Sequence, residues 1–161
     1  MLVKLKNYLF WLAAVVAIVS DQITKYWVVQ FFELHESMPL WDGVFHFTFV
    51  ENTGAAFSLF SENGEWLRWL SLLVSFGLML LAILGPKMTR IEQLGFGCIL
   101  GGALGNGLDR FASGAVVDFL DFRLINFPIF NLADVFINIG IICLLIAAIK
   151  EPPTKSSPSK L

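Results

Sequence analysis

Two aspartates in this sequence could work as a catalytic pair. Asp118 stands in the acidic and apolar segment Val117–Phe122, and Asp134 follows sixteen residues later. The connection between them contains Pro128 and is long enough to fold back and bring both carboxyls to one depth. Two carboxyls held close together cannot both ionise cheaply, because like charge and desolvation raise the pKa of one of them. Such a pair supplies one acid and one base, which is the equipment for hydrolysis of a peptide by water.

A pair of aspartates alone leaves other classes of protein open. A proton-conducting or ion-conducting bundle uses the same groups, but it would need polar residues that continue to the opposite membrane face, where the apolar runs offer only Ser71 and Ser75. A structural subunit would not need two acids and three amides at one depth. Serine catalysis lacks a Gly-x-Ser-x-Gly elbow, and both histidines, His35 and His46, lie in a loop. We expect no metal site and no cofactor, because metal-ligand spacings are missing.

Further polar side chains accompany the pair inside apolar surroundings. A charged side chain within a membrane-spanning helix costs roughly 2.5–3.5 kcal/mol on insertion scales, so each one needs a partner or a function. Asp21 and Lys25 have the spacing of an ion pair on one helix face. Two other sets of polar residues have spacings that place each set on one face of a helix. The first set is Asn106, Asp109 and Arg110, and the second is Asn131, Asp134 and Asn138.

The composition places these residues in a membrane protein. Of 161 residues, 57% are apolar and 15% are charged, and the mean hydropathy is +0.73. Ordinary soluble domains are about 45–50% apolar and about 25% charged, so a soluble enzyme is excluded. The net charge of −2 and the lack of a basic run exclude nucleic-acid binding.

Four apolar runs predict an all-α membrane protein with four transmembrane helices. Each run is long enough to cross about 30 Å of hydrocarbon, and their limits are about 8–28, 66–84, 91–108 and 129–149. Seven of the eleven Lys and Arg residues lie before the first run, between the second and third, or after the fourth. By the positive-inside rule both termini are cytoplasmic, and the polar residues lie near the outer face.

The long loop between the first two helices is expected to carry a small extracytoplasmic sheet. Within residues 30–65, Phe45, Phe47 and Phe49 alternate with polar residues, which is typical of a strand. We therefore predict a single membrane domain over residues 1–150 with 30–65 as a β and loop insertion. Residues 151–161, rich in Pro and Ser, are predicted to be a disordered cytoplasmic tail.

Five motifs in this order resemble the lipoprotein signal peptidases, the bacterial signal peptidase II family. The motifs are Ser20–Lys25, Glu51–Phe57, Gly101–Asn106 with Asp109 and Arg110, Val117–Phe119, and Phe130–Asp134. One departure is Gly107, where a bulkier apolar residue is expected. Since glycine costs about 1 kcal/mol in a helix interior, we expect the third helix to loosen there.

The resemblance implies a membrane aspartyl endopeptidase. Such an enzyme removes the signal peptide from diacylglyceryl-modified prolipoproteins just before the lipidated cysteine, in the bacterial cytoplasmic (inner) membrane. It implies that Asp118 and Asp134 are catalytic, and that the residues around them bind substrate or hold the pair. These residues are Asp21, Asn52, Gly54, Asn106, Arg110 and Asn131.

Further expectations concern partners and two of these residues. The resemblance implies membrane lipids as surroundings and globomycin-like inhibitors as ligands, and we expect a monomer. Asp21 is expected to be structural, through Lys25 or a helix cap. Arg110 is expected to pair with Asp109 or to steady loop backbone, and Asn138 has no assigned role.

Overall fold

The computed structural model describes residues 6–54 and 65–150. Within them the chain forms α1 (Tyr8–Phe31), β1 (Ser37–Trp41), β2 (Phe45–Asn52), α2 (Trp66–Leu84), α3 (Arg90–Ala112), β3 (Val116–Asp121), a 3-10 helix (Arg123–Ile125) and α4 (Leu132–Lys150). Residues 55–64 of the predicted insertion and the predicted tail 151–161 lie outside the described residues.

Three of the four helices, α1, α2 and α4, are long and apolar enough to cross a membrane. The predicted third span, α3, is not among them, because six glycines and the charged residues near its ends lower its hydropathy. This helix packs against each of the other three. It is therefore the central helix of the bundle, and the other helices cover much of its surface.

Glycines allow α3 to approach its neighbours closely, as small residues do in membrane bundles. A Cβ atom on Gly97 would collide with the Phe10 carbonyl of α1, and one on Gly102 would collide with the Ala133 carbonyl of α4. Gly107 faces α2 in the same way, since its Cβ would lie 3.1 Å from that of Ser71. The predicted loosening at Gly107 is wrong, because α3 continues without a break to Ala112 and the glycine serves packing.

The sheet has three antiparallel strands in the order β1-β2-β3. Only β1 and β2 belong to the predicted insertion, so the prediction that the sheet lies between the first two helices is incomplete. β3 comes from the connection between α3 and α4, which was predicted as a loop. Its register places Val116 opposite Asn52 and Asp118 opposite Val50, so Asn52 and Asp118 come from neighbouring strands.

One apolar cluster, formed by Val28, Phe49 and Phe119, joins the sheet to α1. A second cluster, which includes Phe10 and Leu100, packs α1 against α3. These contacts hold the sheet against the helix ends on the side where the polar residues lie. The sheet and the helix ends can therefore contribute side chains to one site.

Three predicted helix limits move by three residues or more in the structure. α1 continues to Phe31, α3 continues to Ala112, and α4 begins at Leu132 rather than at Ile129. The start of α4 is set by Asn131, whose Oδ1 accepts a hydrogen bond of 3.1 Å from the backbone N–H of Asp134. In return, Asp134 Oδ2 accepts from the backbone N–H of Asn131 at 3.4 Å. This reciprocal capping satisfies helix-end donors and fixes both side chains.

Candidate active site

Asp118 of β3 and Asp134 in the first turn of α4 line one cavity of about 840 Å³. Asp118 is 2% exposed, and its carboxylate accepts two amide hydrogen bonds, from Asn52 Nδ2 at 2.9 Å and from Asn131 Nδ2 at 2.6 Å. Asp134 Oδ1 accepts from Asn106 Nδ2 at 2.9 Å. The structure therefore brings the two predicted aspartates and three predicted amides into one site.

Two amides join the carboxyl groups in a continuous chain. Asn131 Nδ2, besides its bond to Asp118, donates to Asn106 Oδ1 at 3.0 Å. Asn106 Nδ2 then donates to Asp134. Each carboxylate thus receives at least one N–H, which holds its orientation, and Asn131 Oδ1, the remaining amide oxygen, accepts from the backbone N–H of Asp134.

Burial raises the pKa of Asp118 to about 7. The hydrogen bonds from Asn52 and Asn131 oppose this rise, because they favour the charged form, and the nearby charge of Asp134 adds to it. Desolvation outweighs the amide donors here. Asp118 is therefore a carboxyl group that can hold a proton near neutral pH and release it at slightly higher pH.

Asp121, three residues further along β3, belongs to a different environment. Its Oδ2 accepts from Thr48 Oγ1 at 2.7 Å and from Arg123 Nε at 2.8 Å. Burial alone would raise the pKa of Asp121, but these hydrogen bonds and the Arg123 charge lower it overall. Asp121 is therefore an ion-pair partner, and it is not among the residues that line the cavity.

The predicted ion pair between Asp21 and Lys25 is confirmed, with Nζ 2.9 Å from Asp21 Oδ2. Lys25 also lies 2.8 Å from Asp109 Oδ2. Asp21 is fully buried, and its second oxygen accepts from the backbone N–H of Ala133 at 2.9 Å. Asp21 thus contacts the start of α4, as a helix cap would, rather than the cavity.

Arg110 lines the cavity and fixes the loop after β2. Its Nη2 donates to the Gly54 carbonyl at 3.1 Å and its Nη1 to the Asn106 carbonyl at 3.4 Å. Arg110 was expected to bind either Asp109 or loop backbone. The structure shows the bond to loop backbone, and Asp109 forms its ion pair with Lys25 instead. Arg110 Nε is buried without a hydrogen-bond partner among the described residues. Gly54 N–H in turn donates to Asn52 Oδ1 at 3.0 Å.

Two features of the site were not predicted. Lys25 Nζ donates to Asn106 Oδ1 at 2.9 Å, whereas its sequence spacing indicated only the pair with Asp21. Asn138, which had no role, lines the cavity and donates to the Asp134 carbonyl at 2.9 Å. The stripe Asn131, Asp134 and Asn138 was the available signal for Asn138. No sequence signal linked Lys25 to Asn106, because the two are far apart in the chain.

The architecture is that of a bacterial membrane enzyme, because solved structures of this class share it. One bacterial membrane enzyme, determined by the in meso method at 2.3 Å resolution, superposes with a TM-score of 0.80 at 29% identity, over 93% of this chain and 92% of that one. Another, determined by the same method at 1.9 Å, has a TM-score of 0.77 at 31% identity, over 88% and 92%.

The family follows from sequence comparison. A sequence model of signal peptidase (SPase) II matches residues 13–150. A lipoprotein signal peptidase of Nostoc sp. (strain PCC 7120) is 65% identical over 151 residues, which cover 94% of this chain and 96% of the relative. That of Gloeobacter violaceus is 56% identical over 155 residues, covering 96% and 90%. The chain belongs to the signal peptidase II family.

Proposed function

We propose that this protein is an aspartyl endopeptidase that removes the signal peptide from diacylglyceryl-modified prolipoproteins, cutting just before the lipidated cysteine. Family membership supports cleavage of lipoprotein signal peptides. The observation that carries the aspartyl mechanism is the pair of carboxyl groups in one cavity, joined by two amides, with the pKa of Asp118 raised to about 7 by burial.

The two carboxyl groups have different roles in this proposal. Asp134 lies in the first turn of α4, and its Oδ1 accepts the amide N–H of Asn106. As the base, it takes a proton from water, and the water oxygen attacks the scissile carbonyl carbon. Asp118, protonated, gives its proton to the carbonyl oxygen. The tetrahedral intermediate then collapses: Asp134 returns its proton to the departing amide nitrogen, and Asp118 recovers its proton as the new carboxylic acid forms.

The cavity suits a substrate with a peptide part and a lipid part. Its polar end holds Asn52 and Arg110, whose amide and guanidinium N–H groups can donate to peptide carbonyls. Its other wall is formed along α4 by apolar residues that include Val135, Ile139 and Ile142. Ile139 and Ile142 are exposed. A substrate whose acyl chains stay in the bilayer can thus present its peptide to the carboxyl groups from the side.

We further propose the placement of the chain in the bacterial inner membrane. α3 also spans the membrane, in addition to α1, α2 and α4, and these three more apolar helices shelter it from lipid. The distribution of Lys and Arg supports cytoplasmic termini and a site near the outer face. Globomycin-like peptides are proposed inhibitors at the cavity, and the working unit is a monomer that needs no metal.

The test is cleavage of a synthetic diacylated prolipoprotein peptide by the purified protein in detergent. Asp118→Asn and Asp134→Asn should each lower kcat by at least about a thousandfold, because each removes one proton carrier. Asp121→Asn is the matched control on the same strand and should retain activity within a few fold. EDTA should leave the wild-type rate unchanged.

Three results would contradict the proposal. Turnover close to the wild-type rate in either aspartate variant would remove that residue from the pair. Cleavage anywhere other than before the lipidated cysteine would contradict the assigned substrate. Loss of activity in EDTA that zinc restores would mean metal catalysis. Each variant is first shown to be folded by its elution volume and melting temperature.

A further inference from the structure

Lys25 is a buried cation that lies outside the lining of the cavity. Its side chain is 4% exposed. An ammonium group has three N–H donors and cannot accept, and Lys25 Nζ has three oxygen partners. These are Asp21 Oδ2 at 2.9 Å, Asp109 Oδ2 at 2.8 Å and Asn106 Oδ1 at 2.9 Å. Every donor of the ammonium group therefore has an assigned acceptor.

The third of these bonds determines which way the Asn106 amide points. An asparagine side chain has one accepting and one donating end, and a rotation by 180° exchanges them. Because Lys25 can only donate, it requires the oxygen of Asn106 on its own side. The amino group must then face Asp134, to which it donates at 2.9 Å.

Asn131 alone would hold this orientation less firmly. Its Nδ2 also donates to Asn106 Oδ1, at 3.0 Å, but the same group serves Asp118 and the Val117 carbonyl. A neutral amide bond is also weaker than a bond from a charged donor. The Asn106 amide thus lies between two charged groups, the Lys25 ammonium at its oxygen and the Asp134 carboxylate at its amino group, and the ammonium is the one that still requires this orientation when Asp134 carries a proton.

We propose that Lys25 is a positioning residue for the hydrolytic pair: its ammonium group fixes the Asn106 amide so that an N–H, rather than a carbonyl oxygen, faces Asp134. Asp21 and Asp109 accept the other two N–H groups of the ammonium and balance its charge. This inference deepens the function proposed above and rests on it. The alternative is that Lys25 only neutralises two buried carboxylates and contributes to folding.

The test separates these two roles with a matched pair of variants. Asp109→Asn removes one carboxylate and keeps the cation, so the Asn106 bond survives. The double variant Lys25→Met with Asp109→Asn differs from the single variant only by the loss of the cation. Asp21 is then the one carboxylate of the cluster that remains. Both are compared as purified, folded protein in detergent with the diacylated peptide substrate.

The Asp109→Asn variant should keep kcat within about threefold of the wild type. The double variant should lose kcat by about tenfold or more relative to it, the size expected when a charge-assisted hydrogen bond is removed, with KM within twofold. The acidic limb of its pH–rate profile should also move to higher pH. A carbonyl oxygen facing Asp134 disfavours the carboxylate form, so activity is lost earlier on acidification.

A loss of folded protein alone would lower the rate without moving the pH profile. Apart from Lys25, the two variants have the same ionisable groups at the site. These groups are the pair itself, Asp118 and Asp134, and the neighbouring Asp21, Glu51 and Arg110. Equal kcat and superimposable pH profiles in the two variants would overturn the positioning role. So would an equal loss in both.

If the double variant does not fold, Asp21→Asn is added, which removes the remaining carboxylate and leaves the cluster neutral. This triple variant should show the same loss of kcat and the same shift against the wild type. Wild-type kinetics in it would overturn the inference. Failure of the proposed function is recognised separately, because the wild type would then not cleave the substrate or Asp134→Asn would still turn over.

Discussion

Replacing Asp118 by Asn should remove a pH dependence of stability that this one carboxyl imposes. In the folded protein its pKa is about 7, against an ordinary value of 3.8. Between these values the folded state binds one more proton than the unfolded state. Stability therefore falls as pH rises through this window, since stability rises with pH only where the unfolded state binds more protons.

The magnitude follows from the width of the window. One pH unit corresponds to at most about 1.4 kcal/mol for a single proton, and the folded carboxyl is already half ionised at pH 7, so raising the pH from 5 to 7 should lower the free energy of unfolding by about 2 kcal/mol through Asp118. The group is 2% exposed, so solvent screens little of this effect. In the Asp118→Asn variant the contribution is absent, because an amide does not titrate.

The measurement is equilibrium unfolding in detergent mixed with increasing sodium dodecyl sulfate, at pH 5, 6, 7 and 8, for the wild type and the variant. The wild-type free energy of unfolding should decline relative to that of Asp118→Asn through pH 7 and level off towards pH 8. Asp121→Asn is the control. Because hydrogen bonds lower the pKa of Asp121, it is ionised in both states here, and its difference curve should be flat. A flat curve for Asp118→Asn as well would refute the reasoning.

Two further predictions concern packing and substrate binding. Gly105→Ala should lower the free energy of unfolding by about 1–3 kcal/mol, as overpacking does, because its Cβ would collide with Asp21 Oδ2. Gly77→Ala, with nothing within 4 Å of its Cβ, should be neutral or gain up to about 1 kcal/mol; equal melting temperatures would contradict the packing argument. Arg110→Met should raise KM for the diacylated peptide by about tenfold, from the loss of a charged hydrogen-bond donor. In steady-state kinetics, an unchanged KM would remove Arg110 from substrate binding.

The polar stripes of the helices were predictable because helical spacing alone decides which residues share a face. Asn106 and Asp109, for example, fall on one face of α3 whatever the rest of the chain does. The direction of each amide was not predictable. It depends on whether the facing group donates or accepts, and for Asn106 that group is Lys25, 81 residues away in the chain.

β3 was missed for a related reason. Val116–Asp121 contains two acids, and acids are poor strand formers. Its backbone is held by pairing with β2, a partner that precedes it by two helices. The pairing also places Asp118 in the cavity and Asp121 in the ion pair with Arg123, although both aspartates have similar apolar neighbours in the sequence. Only the register on β2 brings one beside Asn52 and the other beside Thr48.

The glycine-rich surface of α3 has a consequence for how the protein is made. A helix with six glycines among its 23 residues gains less from lipid on its own than its neighbours do, and its close contacts exist only when α1 and α4 are in place. During synthesis the ribosome releases α1 and α2 first, so a receiving surface is present when α3 emerges. α4 follows last, and its arrival completes the contacts of α3 and brings Asp134 to the site.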